Sequence, residues 1–409
     1  MGAPSSLTYG AVPSGPSADV AEKGEAPRTP TRREARWSKG KSLTVAVFCL
    51  MIMLCLYWLV GSTTGWRKQT ASPDGFGTSS YTIIAACKLS HDRRPMFRQA
   101  LRSWLDLPRD VVDHIVIVDW GSSHDLRDSA LRVVNQKAAE TANASHPMRV
   151  DILEMSGTPP PGADSVWNST DVPWKLSSAY NLGFFLGGVR SKYVAKLDCD
   201  THLASDFFSH NDLERHPPGD FLTAGWRHAR DANDVHLNGI LLASSDDFRA
   251  VNGYDERIFE YGWDDEDLYE RLTAVAPNGE AAHEQMLRDK NGRSLITHLW
   301  HRRKRDEDRG GSTCTNREGV RALSRSAPWN GQRRTTYRIS GFRKGEVKVK
   351  ETGDEVFVTT VEATSWVPDL RDTLRGEEWA RVEALCAAER RAEIPSERAT
   401  TETQSAQVL

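Results

Sequence analysis

Lys192-Tyr-Val-Ala-Lys-Leu-Asp198-Cys199-Asp200 is the stretch on which the reading of the fold turns. A short, largely apolar run bounded by polar residues predicts a strand, and here the strand runs out into two carboxylates two residues apart. Such a pair at a strand end can turn toward a single divalent cation, which prefers hard oxygen ligands. An Asp-x-Asp pair is also an ordinary solvated strand terminus, so its surroundings decide. Upstream, Tyr81-Thr-Ile-Ile-Ala-Ala, His114-Ile-Val-Ile-Val-Asp119 and Arg149 to Met155 read as three more strands. Arg98 to Leu107, with Phe97, Leu101 and Trp104 on one face, and Ser177 to Gly187 read as helices between strands. Alternating strands and helices predict a mostly parallel sheet covered on both faces. Ligands then bind at the carboxyl ends of the strands, where Asp119, Asp198 and Asp200 lie.

A second acidic stretch follows at Gly262-Trp263-Asp264-Asp265-Glu266-Asp267-Leu268. Leu268 and Leu272 keep helical spacing, so a helix is expected to start near Asp264 with acids in its first turn. Capping accounts for two of those acids. Four adjacent carboxylates repel one another, and the surplus calls for a cation or hydrogen bonds. A third candidate is His298-Leu-Trp-His301, whose i,i+3 imidazoles on a helix or turn could face one metal ion. A packed or surface histidine is the ordinary reading of either residue, and the neighbouring carboxylates shift the balance.

Outside this body the chain changes character. Leu43 to Val60 is apolar apart from Thr44 and carries no charge; as a helix its 18 residues reach about 27 Å, close to the thickness of a bilayer core. Its late start and the lack of a small-residue cleavage site favour an anchor over a signal peptide. Arg28, Arg32, Arg33, Arg36, Lys39 and Lys41 precede the run and only Arg67 and Lys68 follow closely, which places the N-terminus in the cytosol and the body in the lumen. Asn143-Ala-Ser and Asn168-Ser-Thr are glycosylation sequons consistent with that topology. Of the six cysteines, Cys49 and Cys55 fall in the apolar run, leaving Cys87, Cys199, Cys314 and Cys386 for one or two bridges whose pairing is not readable. The net charge of −3 offers no basic field for nucleic acid.

Together these segments resemble two related groups of GT-A-type glycosyltransferases. Asp119-Trp-Gly-Ser, Ala179-Tyr-Asn-Leu-Gly183 and Leu197-Asp-Cys-Asp200 resemble the donor half of glycosyltransferase family 2. Asn238-Gly239, Val251-Asn-Gly-Tyr-Asp255, Tyr261-Gly-Trp-Asp-Asp-Glu-Asp-Leu and Arg271-Leu272 resemble the C-terminal half of the β-1,4-galactosyltransferase family. The resemblance implies an α/β, Rossmann-like GT-A fold, and an inverting transfer of a sugar from a UDP-sugar to a glycan or glycoconjugate hydroxyl. By position it implies Asp265 as catalytic base with Asp264 orienting a sugar, and Asp119, Asp198, Asn181, Tyr261 and Trp263 on the donor side. Asp200, His301 and His298 would hold Mn²⁺ or another divalent cation, His298 standing where the family carries Met. With the topology, the resemblance implies residence in the Golgi membrane with a luminal catalytic domain. Galactose or an N-acetylhexosamine is the expected sugar, and a catalytically silent carbohydrate-binding protein on the same fold is the alternative.

The expected organisation is a disordered cytosolic tail over 1–42, a signal anchor over 43–61, a stem over 62–79 and the catalytic domain over 80–305. A charged lid or loop region over 306–345, a C-terminal hairpin and helix over 346–392, and a disordered tail over 393–409 complete it. The hairpin is expected to pair Val347-Lys-Val-Lys with Val356 to Val361, and Leu370, Leu374, Val382 and Leu385 to form one apolar helix face.

Overall fold

The computed structural model describes residues 79–122, 125–140, 147–156, 175–224, 229–258, 262–276, 287–300, 309–332, 334–345, 347, 353–374 and 376–406. The apolar run Leu43–Val60, both sequons, Tyr261 and His301 lie outside them. Among the described residues no helix is long and apolar enough to cross a membrane.

In chain order the elements are β1 (Tyr81–Cys87), α1 (Arg94–Leu105), β2 (Val112–Asp119), α2 (Leu126–Glu140), β3 (Arg149–Ser156), α3 (Leu176–Leu186), β4 (Tyr193–Asp198) and β5 (Thr201–Leu203). There follow α4 (Phe207–His210), β6 (Leu222–Thr223), α5 (Ala232–Val235), β7 (Leu241–Ser244), α6 (Ser245–Ala250), α7 (Asp264–Val275) and β8 (Ile296–His298). The chain ends with α8 (Arg309–Ser324), β9 (Thr336–Gly345), β10 (Glu355–Ser365), α9 (Leu370–Thr373) and α10 (Glu377–Ala406). Eight strands form one mixed sheet in the order β6-β7-β4-β1-β2-β3-β10-β9. β4, β1, β2, β3 and β10 run parallel, while β7, β6 and β9 join antiparallel.

Strand alternation divides the core into two layers. Tyr81, Ile83, Ala85 and Cys87 of β1 face one layer with Phe97, Leu101 and Trp104 of α1, whereas Ile84 and Ala86 face the other with Ala179, Tyr180 and Leu182 of α3. A strand buried on both faces reads as a continuous apolar run, which is why β1 and β2 are legible in the sequence. Gly183 lets α3 settle on the sheet: a Cβ there would stand 2.7 Å from Ile84 Cγ2 and 3.0 Å from Val118 Cγ2.

The C-terminal third departs from expectation in several ways. The first hairpin arm is Thr336–Gly345, N-terminal to Val347, and β10 pairs with β3 as well as with β9, so the hairpin extends the main sheet. The region expected as a lid or loop contains α8, whose Leu323 packs with Ile258, Leu370, Leu374 and Val382. The single amphipathic helix is broken at Gly376 (φ +59°) into α9 and α10, and Leu385 is 58% exposed while Val382 and Cys386 turn inward. Helix α10 continues to Ala406 through residues expected to be disordered. Disulfides join Cys87 to Cys199 and Cys314 to Cys386.

The Cys314–Cys386 bridge ties α8 to α10 across 72 residues of sequence. Replacing both cysteines by alanine is expected to lower stability by about 2–4 kcal/mol in urea unfolding, and an unchanged midpoint would contradict this role.

Candidate active site

Three parallel strands, β1, β2 and β4, bring chemistry to one end of the sheet. In register Cys87 of β1 stands beside Asp119 of β2, and Ala86 stands beside Asp198 of β4. The Cys87–Cys199 disulfide fastens the Asp198-Cys-Asp200 turn to β1 at that level. Asp119 accepts a hydrogen bond from the Ser122 backbone N–H at 3.0 Å. Burial pushes its carboxyl up to about 6, against hydrogen bonding from Ser122 that holds it down.

Helix α7 carries the second set of carboxylates to the same place. Its N-terminal residue Trp263 adopts the left-handed conformation (φ +69°), an uncommon choice for a bulky side chain. This turn is braced by α8: Asn316 Nδ2 donates to the Gly262 carbonyl at 2.8 Å, and the Arg321 and Arg317 guanidinium groups lie 5.5 and 5.9 Å from the Trp263 ring. The four acids then divide their tasks. Asp267 accepts from Arg271 at 2.6 Å, and Arg271 also donates to the Val251 and Gly253 carbonyls, so this pair holds the preceding loop. Asp264 and Asp265 are buried at the strand ends.

Between Asp265 and Asp198 lies an ammonium that the sequence reading did not single out. Lys196 is 3% exposed; its Nζ is 3.3 Å from Asp265 Oδ1, 3.8 Å from Asp198 Oδ1 and 4.6 Å from the Tyr180 ring centre. Two stacked phenols complete the arrangement, with centroids 5.5 Å apart: Tyr180 Oη donates to Asp198 and Tyr254 Oη donates to Asp265, each at 2.8 Å. A Cβ on Gly239 (φ +92°) would overlap Asp265 Oδ2 and stand 2.8 Å from Lys196 Nζ, so only glycine closes this side.

The charge count explains the protonation pattern. Burial, then the Asp265 charge beside it, pushes the Asp264 carboxyl up to about 8 against the pull of Lys196. The protonated form of Asp264 is thereby favoured, and among the described residues its buried Oδ2 has no hydrogen-bond partner. The Asp198 carboxyl is also raised, first by burial and against the Lys196 charge, although 37% side-chain exposure lets water temper the push.

Asp200 and His298 meet on the small β5–β8 ribbon, where Thr201 pairs with His298. His298 thus sits on a strand end rather than a helix or turn, because Thr201 to Leu203 offer it a backbone partner. Its Nδ1 is 3.5 Å from Asp200 Oδ1, near enough for both atoms to reach one ion. The His236 ring lies tilted beside the His298 ring with centroids 4.9 Å apart, a neighbour the sequence spacing did not suggest. Among the described residues no cluster of three or more His, Cys, Asp or Glu side chains is placed to hold a metal. A carboxylate oxygen and an imidazole nitrogen nevertheless suit Mn²⁺ or a similar divalent cation as two of its ligands.

Asn181, expected on the donor side, has a buried side chain, with Nδ2 donating to the Tyr254 carbonyl and to Glu256, both at 2.9 Å, and Oδ1 accepting from the Tyr254 N–H at 2.8 Å. Both ends of the amide hold the Tyr254 loop.

Residues 228–290 match a family model described as the N-terminal domain of galactosyltransferase. The matched span contains Asp264 and Asp265, and the chain resembles GT-A-type glycosyltransferases there and in its strand-end motifs. No curated protein matches the chain by sequence. Among solved structures it is similar to the catalytic domain of Drosophila β1,4-galactosyltransferase 7 in complex with xylobiose, at 16% identity and TM-score 0.41, covering 70% of this chain and 95% of that one. It is similar also to a mannosyltransferase of Pyrobaculum calidifontis in complex with GDP-mannose and Mn²⁺ (15% identity, TM-score 0.34, 59% of this chain and 64% of that one). A third is glucosyl-3-phosphoglycerate synthase of Mycobacterium tuberculosis (13% identity, TM-score 0.36, 64% and 85%).

The raised Asp264 carboxyl sets a pH signature. Its folded pKa of about 8 stands above the ordinary carboxylate range, so the folded chain keeps a proton that the unfolded chain releases. This group's contribution to stability therefore falls as pH rises from about 4 to about 8. In metal-free buffer the Tm of Asp264→Asn is expected to rise relative to the parent across that window; a constant difference would contradict the assignment.

Proposed function

We propose that the protein is a membrane-anchored, metal-dependent inverting glycosyltransferase that moves galactose or an N-acetylhexosamine from a UDP-sugar to a glycan hydroxyl. The observation that carries this reading is the convergence of Asp198 at the end of β4 and Asp265 at the start of α7 on one buried ammonium. This joins a donor-side carboxylate to a candidate base at the sheet end where open α/β folds take ligands.

In this reading the acceptor hydroxyl gives its proton to Asp265 as its oxygen bonds the anomeric carbon and the bond to uridine diphosphate breaks. Tyr254 Oη fixes the rotation of the Asp265 carboxylate. Protonated Asp264 presents a hydrogen-bond donor to a sugar hydroxyl. Asp119 binds the nucleoside, and Trp263 with Tyr261 offers aromatic surface to a sugar ring. Asp200, His298 and His301 would hold a divalent cation, which when bound neutralises charge on the departing diphosphate. The Leu43–Val60 run and its basic N-terminal flank support a single-pass anchor, with the catalytic body in the Golgi lumen.

A screen of UDP-sugars and glycan acceptors with Mn²⁺ tests the proposal. One donor is expected to turn over, EDTA to abolish turnover, and Asp265→Asn to lower kcat about 10²–10⁴-fold with donor binding kept. Metal-dependent donor binding without turnover on any acceptor would favour a silent binding protein. Absence of such binding would sink the reading.

A further inference from the structure

The proposed chemistry gives no role to Lys196, and its placement is hard to explain as packing. It interrupts an otherwise apolar strand, and alternation along β4 turns it to the same face as Val194, toward α3 and α7. A lysine so deeply buried forgoes hydration of its charge and persists only where partners repay that loss. Its partners come from three elements: Asp198 on its own strand, Asp265 on α7, and the Tyr180 ring on α3. The two carboxylates each hold a phenol on another oxygen lone pair, and the Gly239 backbone closes the remaining side. No second cation is recorded against the Asp265 carboxylate among the described residues.

We infer that Lys196 is a positioning residue of the transfer site: its ammonium fixes Asp265 on α7 relative to Asp198 on β4, so that the acceptor-side and donor-side carboxylates keep one spacing. The inference rests on the transferase reading and adds to it a residue that touches neither substrate. Because α7 and β4 are distant in sequence and joined here through a side chain, loss of the ammonium lets the helix start drift. A displacement of about 1 Å between a base and its partner costs on the order of 10²-fold in rate.

The test uses the full-length protein and the donor and acceptor that the screen identifies. Lys196→Met is expected to lower kcat about 100-fold while the donor KM moves less than about threefold, with the folded fraction checked by circular dichroism. A double-mutant cycle separates positioning from general damage. In the Asp265→Asn background, followed by single-turnover transfer of radiolabelled sugar, Lys196→Met is expected to cost less than about threefold more, because the group it serves is already lost. Should Lys196→Met not fold, Lys196→Arg replaces it: the charge is kept but displaced by a longer side chain, and the same kcat loss with KM retained is expected. A folded Lys196 variant with parental kcat, or losses that multiply in the double variant, would overturn the inference. A parent protein with no transfer activity sinks the transferase reading itself, an outcome distinct from an active parent matched by its Lys196 variants.

Discussion

Three carboxyl groups, Asp198, Asp264 and Asp265, crowd a buried corner where one ammonium faces them. The repulsion among them and the loss of water both penalise ionisation, and the corner resolves that penalty in two ways. Lys196 stands between Asp198 and Asp265, while burial and the Asp265 charge favour the protonated form of Asp264. Neighbouring carboxyl groups in sequence thereby sit in different environments, Asp265 beside the ammonium and Asp264 with its Oδ2 buried. Such separation of roles by environment is what acid–base chemistry at neutral pH requires.

Much of the surrounding fold serves to hold this corner. Tyr180 and Tyr254 stack and direct their hydroxyls to Asp198 and Asp265, and Asn181 grips the Tyr254 backbone from α3. The buried Asp255–Arg257 pair fixes the next residues of that loop, and Arg257 donates onward to the Ala327 carbonyl beyond α8. The Cys314–Cys386 bridge and the Leu323, Leu370, Leu374 and Val382 cluster then secure α8, which braces the turn at Gly262 and Trp263. Helix α8 and the elements packed on it thus support the acidic turn.

The sequence disclosed what local pattern controls. β1, β2 and β4 were legible because strands buried on both faces read as largely apolar runs, and Asp198 and Asp200 were legible because such a run ended on them. Asp264 and Asp265 stood out because four acids exceed what a helix start needs. Long-range pairing was less accessible: β10 beside β3, the break between α9 and α10, and both disulfide connections depend on residues far apart in the chain. The rings of Tyr180 and Tyr254 belong to the core, and only the fold shows where their hydroxyls point. Lys196 carried a faint signal, a lone charge inside a strand, but a lysine at that spacing more often marks a solvent-facing position. The hold of Asn181 on the Tyr254 backbone is likewise a long-range contact that no local spacing shows.

The most direct measurement is a crystal structure of the protein with uridine diphosphate and Mn²⁺. The account predicts the nucleoside beside Asp119, the ion on Asp200 and His298, and Asp265 facing open space across from the diphosphate. A nucleotide bound away from these strand ends would contradict the claim that this corner is the transfer site.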